Sequence, residues 1–158
     1  MYEDVKMPEG MSPEVLEHLM NPKNYGKLDE PSGVGVALDD KTKEYVIFYS
    51  LLEGEIVADA KYATNGCQDT VVIGSMFSEM IIGNNLDYAN GAIQKMHEKL
   101  GDLSPQQQIC ADLVFTAFIA SMKNCENIQS GKDEELHILK MKDSCEATGM
   151  ENKGESNE

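Results

Sequence analysis

Apolar residues recur at two different spacings along this chain, and the switch between them falls at Cys67. Before it, "EYVIFYSLL" (44–52) is rich in β-branched and aromatic residues and predicts a strand. Glu53-Gly54 makes a turn, and "EIVADAKYA" (55–63) predicts the return strand, with Ile56, Ala58, Ala60 and Tyr62 on one face and Asp59 and Lys61 on the other. A shorter strand at Val34–Leu38 is predicted inside the Gly- and Asp-rich stretch 29–43. After Cys67, Val72, Ile73, Met76, Phe77, Met80 and Ile81 recur at helical spacing. Thr70, Gly74 and Ser78 form a row of small residues on that helix, suited to close packing, and Gly83-Asn84-Asn85 stops it. A second helix covers 88–99. Ser104, Pro105 and Gln107 then supply a capping residue, a first-turn proline and the partner of a capping box. Cys110, Leu113, Val114, Ala117, Phe118 and Ser121 share one side of the helix that follows.

The ends are simpler. Ser12-Pro13 opens a short helix with Val15, Leu16, Leu19 and Met20 as its apolar side, and "NPKNYG" (21–26) closes it. "KDEELHILKM" (132–141) predicts a last helix. From Asp143 the chain is acidic and without apolar pattern, which predicts disorder. The divisions are therefore a flexible N-terminus (1–11), one domain (12–128), a C-terminal helix (129–142) and an acidic disordered tail (143–158). No repeat is visible, and strands preceding helices imply an α+β fold.

Charge narrows the partners. Thirteen basic against 28 acidic residues give a net charge of −15, which argues against nucleic acid and anionic membranes. That balance suits solubility, or a basic protein partner. No apolar run approaches the roughly 18 residues needed to cross a bilayer, and no secretory signal is evident, so a cytoplasmic location is expected.

The four cysteines, Cys67, Cys110, Cys125 and Cys145, contain no C-x-x-C pair. In a reducing compartment they are thiols, suited to metal or sulfur chemistry rather than disulfides. Cys67 and Cys110 each fall in or near the first turn of a predicted helix, where amide N–H groups and the helix dipole favour thiolate. Position alone leaves the bland alternative open: cysteine is among the most buried residue types, and Cys110 lies on an apolar stripe.

Four stretches in order carry a family resemblance: "NPKNYG" (21–26), "GEIVADAKYATNGC" (54–67), "SMFSE" (75–79) followed by Gly83, and "LSPQQQIC" (103–110). The two cysteines these stretches place are 43 residues apart. Over roughly residues 12–125 the chain resembles the U-type scaffold proteins of iron–sulfur cluster assembly, the IscU and NifU N-terminal domain family. The resemblance implies a SufE/NifU-like fold, a three-stranded antiparallel sheet with helices packed on one face. It implies a non-enzymatic role: accepting sulfur from a cysteine desulfurase and iron from a donor, building a transient [2Fe–2S] or [4Fe–4S] cluster, and passing it to recipient or carrier proteins. Zinc can stand in place of the cluster. The residues that match the family's ligands are Asp40, Cys67 and Cys110, with Cys67 the candidate sulfur acceptor. Thiolates suit both iron–sulfur clusters and zinc.

The chain also departs from the pattern. Where the family has A-C-G-D, this sequence has "ALDD" (37–40), with Leu38 in place of the cysteine and Asp39 in place of the glycine. Ile109 stands where the family has histidine, and the family's Leu-Pro-Pro-Val-Lys stretch is reduced to "LSPQQ". A missing ligand would come from Asp39, Cys125, Cys145, a small thiol or a second subunit, two cysteines per chain being enough to bridge a homodimer around one cluster. The competing reading is a scaffold-fold module that docks on a desulfurase or another assembly protein and holds no cluster. A thiol redox enzyme lacks a resolving C-x-x-C. His18 and His97 read as exposed helix residues, and His137 as another on the charged last helix. The ten methionines read as core and gap-filling residues, and Cys125 as structural.

Overall fold

A computed structural model describes residues 13–141. The predicted flexible N-terminus (1–11) and the acidic tail (143–158), with Cys145, lie outside those residues. The sheet begins with β1 (Gly33–Asp39), followed by β2 (Tyr45–Glu53) and β3 (Ile56–Thr64), an antiparallel meander as the alternating pattern predicts. Among the described residues four helices accompany it: α1 (Pro13–Met20), α2 (Gln68–Ile81), α3 (Leu86–Leu100) and α4 (Pro105–Gln129). Ser104 caps α4 through a complete capping box with Gln107. Asn85 caps α3 by accepting a hydrogen bond from the Tyr88 amide.

The β2–β3 pairing differs from strict alternation. Leu51 pairs with Asp59 but Leu52 pairs with Val57, so Ala58 is the extra residue of a bulge. The bulge turns Val57 into the core and leaves Ile56 42% exposed, correcting the single face predicted for Ile56, Ala58, Ala60 and Tyr62. Ala60 and Tyr62 keep their inward places.

Among the described residues the sheet has four strands, not three, and is mixed, not antiparallel. β4 (His137–Met141) runs parallel to β1, giving the order β3-β2-β1-β4. The helix predicted over 129–142 is therefore replaced by the end of α4, a turn and a strand. "HILKM" is too short for periodicity to distinguish one helical turn from a strand. The open edge of β1 decides between them, since its unpaired amides and carbonyls need a partner. In the strand, Ile138 and Lys140 point outward while His137, Leu139 and Met141 are half-buried.

α4 lies on β1 and β2 at backbone contact. A Cβ on Gly35 would collide with the backbone of Ala117, Ala120 and Ser121, and one on Gly33 with Ser121 and Cys125. Glycine is required here for room. The pairing of rising strand numbers with falling helix numbers shows that α4 runs antiparallel to β1. Phe48, Phe77, Phe115 and Phe118 meet edge to face where β2, α2 and α4 converge. Gly74, from the small-residue row, lets the Tyr62 ring lie flush on α2.

His18 is buried rather than exposed. Its Nδ1 lies 2.6 Å from Ser75 Oγ and its Nε2 lies 3.2 Å from Glu79. Ser75 Oγ also accepts a hydrogen bond from the Lys23 amide. α1 is thus tied to α2 by polar groups that an apolar-pattern reading does not weigh. His97 is half-buried, with its ring against Phe115. His137 lies on β4, not on a helix, and pairs with Glu134 at 3.0 Å.

Candidate metal and sulfur site

β3 ends at Thr64, and a three-residue loop delivers the chain to α2. Thr64 Oγ1 donates to the Tyr45 carbonyl and accepts from the Gly66 amide, which fixes that loop to the end of β2. Cys67 is the N-cap of α2, in extended conformation, and its carbonyl accepts from the Thr70 amide at 3.0 Å. Its side chain makes no cap hydrogen bond and the residue is exposed, with the sulfur 4.0 Å from Thr70 Oγ1.

Cys110 lies in the second turn of α4, six residues past its N-cap Ser104, and is fully buried. Burial pushes its thiol up to about 11, Thr70 and Gln106 pulling against that rise and the neighbouring Cys67 adding to it. The two sulfurs are 3.5 Å apart. Two thiolates on one tetrahedral metal, each bonded at about 2.3 Å, stand about 3.8 Å apart. The pair therefore sits within a few tenths of an ångström of a metal-binding bite, and far inside the separation at which a shared site would fail.

The other expected residues are placed differently. Asp40 is exposed, 3.8 Å from the ammonium of Lys43 and 3.6 Å from that of Lys140. Asp39 is nearly buried on the helix-facing side of β1, and its Oδ1 accepts from the Lys41 amide at 2.9 Å. Leu38 is half-buried and sits between Tyr45 and Lys140 in the register. Ile109 packs at the margin of the core. Cys125 is buried beside Gly33, at the opposite end of β1 from Asp39. Among the described residues, no three His, Cys, Asp or Glu side chains converge closely enough to hold a metal ion.

One residue at this end escaped the sequence reading. Among the described residues, Glu44 Oε1 is buried without a hydrogen-bond partner. The available signal was alternation: Glu44 shares its parity with Val46, Phe48 and Ser50, the inward residues of β2.

Residues 11–131 match the NifU-like N terminal domain. The chain belongs to that family. Among its relatives, an iron–sulfur cluster assembly scaffold protein IscU of Aquifex aeolicus is 30% identical over 113 residues, covering 70% of this chain and 72% of the relative. IscU 1 of Archaeoglobus fulgidus is 27% identical over 147 residues, 91% of this chain and 96% of the relative. Among solved structures, a protein of Fervidobacterium islandicum AW-1, described as a cluster assembly scaffold for the SUF system, aligns with a TM-score of 0.61 at 17% identity, covering 72% of this chain and 96% of that one. At that identity the likeness concerns the fold alone.

Proposed function

We propose that this family member is a scaffold or carrier for iron–sulfur cluster assembly, holding a labile [2Fe–2S] or [4Fe–4S] cluster as cargo and accepting zinc in its place. The observation that carries the reading is the pair of sulfurs 3.5 Å apart, one exposed at a helix start and one buried beneath it. The names borne by the relatives support the same role. Cys67, the accessible sulfur, is the acceptor to which a cysteine desulfurase delivers sulfur. Cys110 is the second ligand. A carboxylate at this end of the sheet, in the role that the family pattern gives to Asp40, supplies an exchangeable oxygen donor, weaker for these metals than thiolate. A site with few firm ligands and one exposed face suits a cargo that must leave.

Anaerobic reconstitution with ferrous iron and sulfide tests the reading. A visible, chelator-labile chromophore is expected, with acid-labile sulfide in proportion to iron. Cys67→Ser and Cys110→Ser should each abolish it. A wild-type chain that takes up neither iron nor zinc would overturn the proposal in favour of a docking module without cargo.

A further inference from the structure

We propose that Glu44 is the third protein ligand of the site, completing a two-thiolate, one-carboxylate set with Cys67 and Cys110. This rests on reading the cysteine pair as metal-holding and goes beyond it by naming the carboxylate, which the family pattern places at Asp40.

Register puts Glu44 at the right end of the sheet. The Asp39 amide donates to the Glu44 carbonyl at 2.8 Å, so the two residues face each other across β1 and β2. On the other side of β2, Val46 pairs with Thr64, and the Tyr45 amide donates to Asn65 Oδ1. Glu44, one residue earlier, therefore lies level with Gly66, next to Cys67. The depth of α4 places Cys110 there too. Gly35 lies under Ala117–Ser121. Four further strand residues cover about 13 Å, and about nine helix residues cover the same length, which sets Cys110 level with Asp39.

Orientation and partnering then separate the three candidate carboxylates. Asp40 is exposed and occupied by Lys43 and Lys140. Asp39 already accepts the Lys41 amide. Glu44 has the inward parity of Val46 and Phe48, and its Oε1 is buried with no donor to accept from among the described residues. A buried carboxylate oxygen without a partner is rare in native folds and calls for a reason, an absent ion being one. Among the described residues the three side chains do not converge to metal distance, so binding requires the Glu44 side chain to move. Swinging Oε1 toward a metal breaks no hydrogen bond of its own. Binding releases the thiol protons of Cys67 and Cys110 to solvent and leaves the carboxylate as the charged oxygen donor.

The test uses the full chain under anaerobic conditions with cobalt(II) and zinc(II) ions. Cobalt absorption reports the number of thiolates, and competition with a chromophoric chelator reports zinc affinity. Glu44→Gln should keep the two-thiolate cobalt spectrum but weaken zinc by about tenfold or more, the loss that even an outer partner of a metal ligand can cause. Asp40→Asn and Cys145→Ser should bind as the wild type does. Without metal, Glu44→Gln should unfold at the same or a higher temperature, because no described group donates to that oxygen. The proposal is overturned if Glu44→Gln binds zinc as tightly as wild type, if Asp40→Asn carries the loss, or if a third thiolate disappears with Cys145→Ser. A wild-type chain with no thiolate–cobalt band would instead refute the cysteine-pair reading, and this assignment with it.

Discussion

At the scale of single residues, the two cysteines differ in access more than in kind. Cys67 sits exposed at a helix start and Cys110 lies buried beneath it with its thiol held protonated by desolvation. Brief alkylation of the metal-free chain should therefore modify Cys67 well before Cys110, measured by mass spectrometry of the digested protein. Prior labelling of Cys110 would reverse the assignment of the sulfur acceptor. Both cysteines were legible because glycine, capping residues and a change of period mark helix starts, and because a family pattern fixed their spacing. Glu44 was not legible. Its significance depends on a missing hydrogen bond, which only three-dimensional neighbours reveal. His18 escaped for the same reason: its partners Ser75 and Glu79 are far along the chain. The His18–Ser75–Glu79 constellation resembles a nucleophilic triad in its atoms, but Ser75 is fully buried and already accepts the Lys23 amide, so it works as a tether between α1 and α2.

At the scale of elements, β4 is held by a small clamp. Glu134 Oε1 accepts from Asn124 and Asn127 of α4, while Oε2 pairs with His137 at the start of β4. Those hydrogen bonds, Asn127 first, hold the Glu134 carboxyl down to about 2, against an ordinary value of 4.5. A depressed folded value means that the clamp contributes above about pH 4.5 and loses its contribution as pH falls toward 2. Protection of the β4 amides from hydrogen exchange, taken relative to the intrinsic exchange rate at each pH, should fall over that window, and Glu134→Gln should show the lower protection already at neutral pH. Equal protection of β4 in Glu134→Gln and wild type at pH 7 would exclude the clamp. The meander and the long helices could be read from period and capping. β4 could not, because five residues carry too little pattern and its reason for being a strand is the open edge of β1, formed far earlier in the chain. The β2–β3 bulge was hidden likewise, since alternation shows parity but not where it slips.

At the scale of the whole molecule, the cysteine pair occupies one end of the domain, where β2, the start of α2 and the early turns of α4 meet. A cluster held there by two thiolates from one chain leaves coordination positions on its exposed side. Two chains meeting at that end would supply four thiolates, the number usual for a cluster, each pair displacing the exchangeable Glu44 carboxylate of its chain. Reconstituted protein is therefore expected to carry about one cluster per two chains and to elute as a dimer that separates when the cluster is chelated. A monomer retaining one cluster per chain would count against bridging. The net charge of −15 works against close approach of two copies, so assembly should improve as salt is raised.

The parallel pairing of β1 with β4 also has a consequence for how the chain is made. β1 emerges from the ribosome early, but its outer edge is closed by residues that follow roughly a hundred positions later, some 5 to 20 seconds at ordinary rates of synthesis. During that interval the nascent domain offers a free strand edge to any neighbour. Molecules truncated before His137 would keep it permanently, and should sediment as aggregates while the finished chain stays in the supernatant.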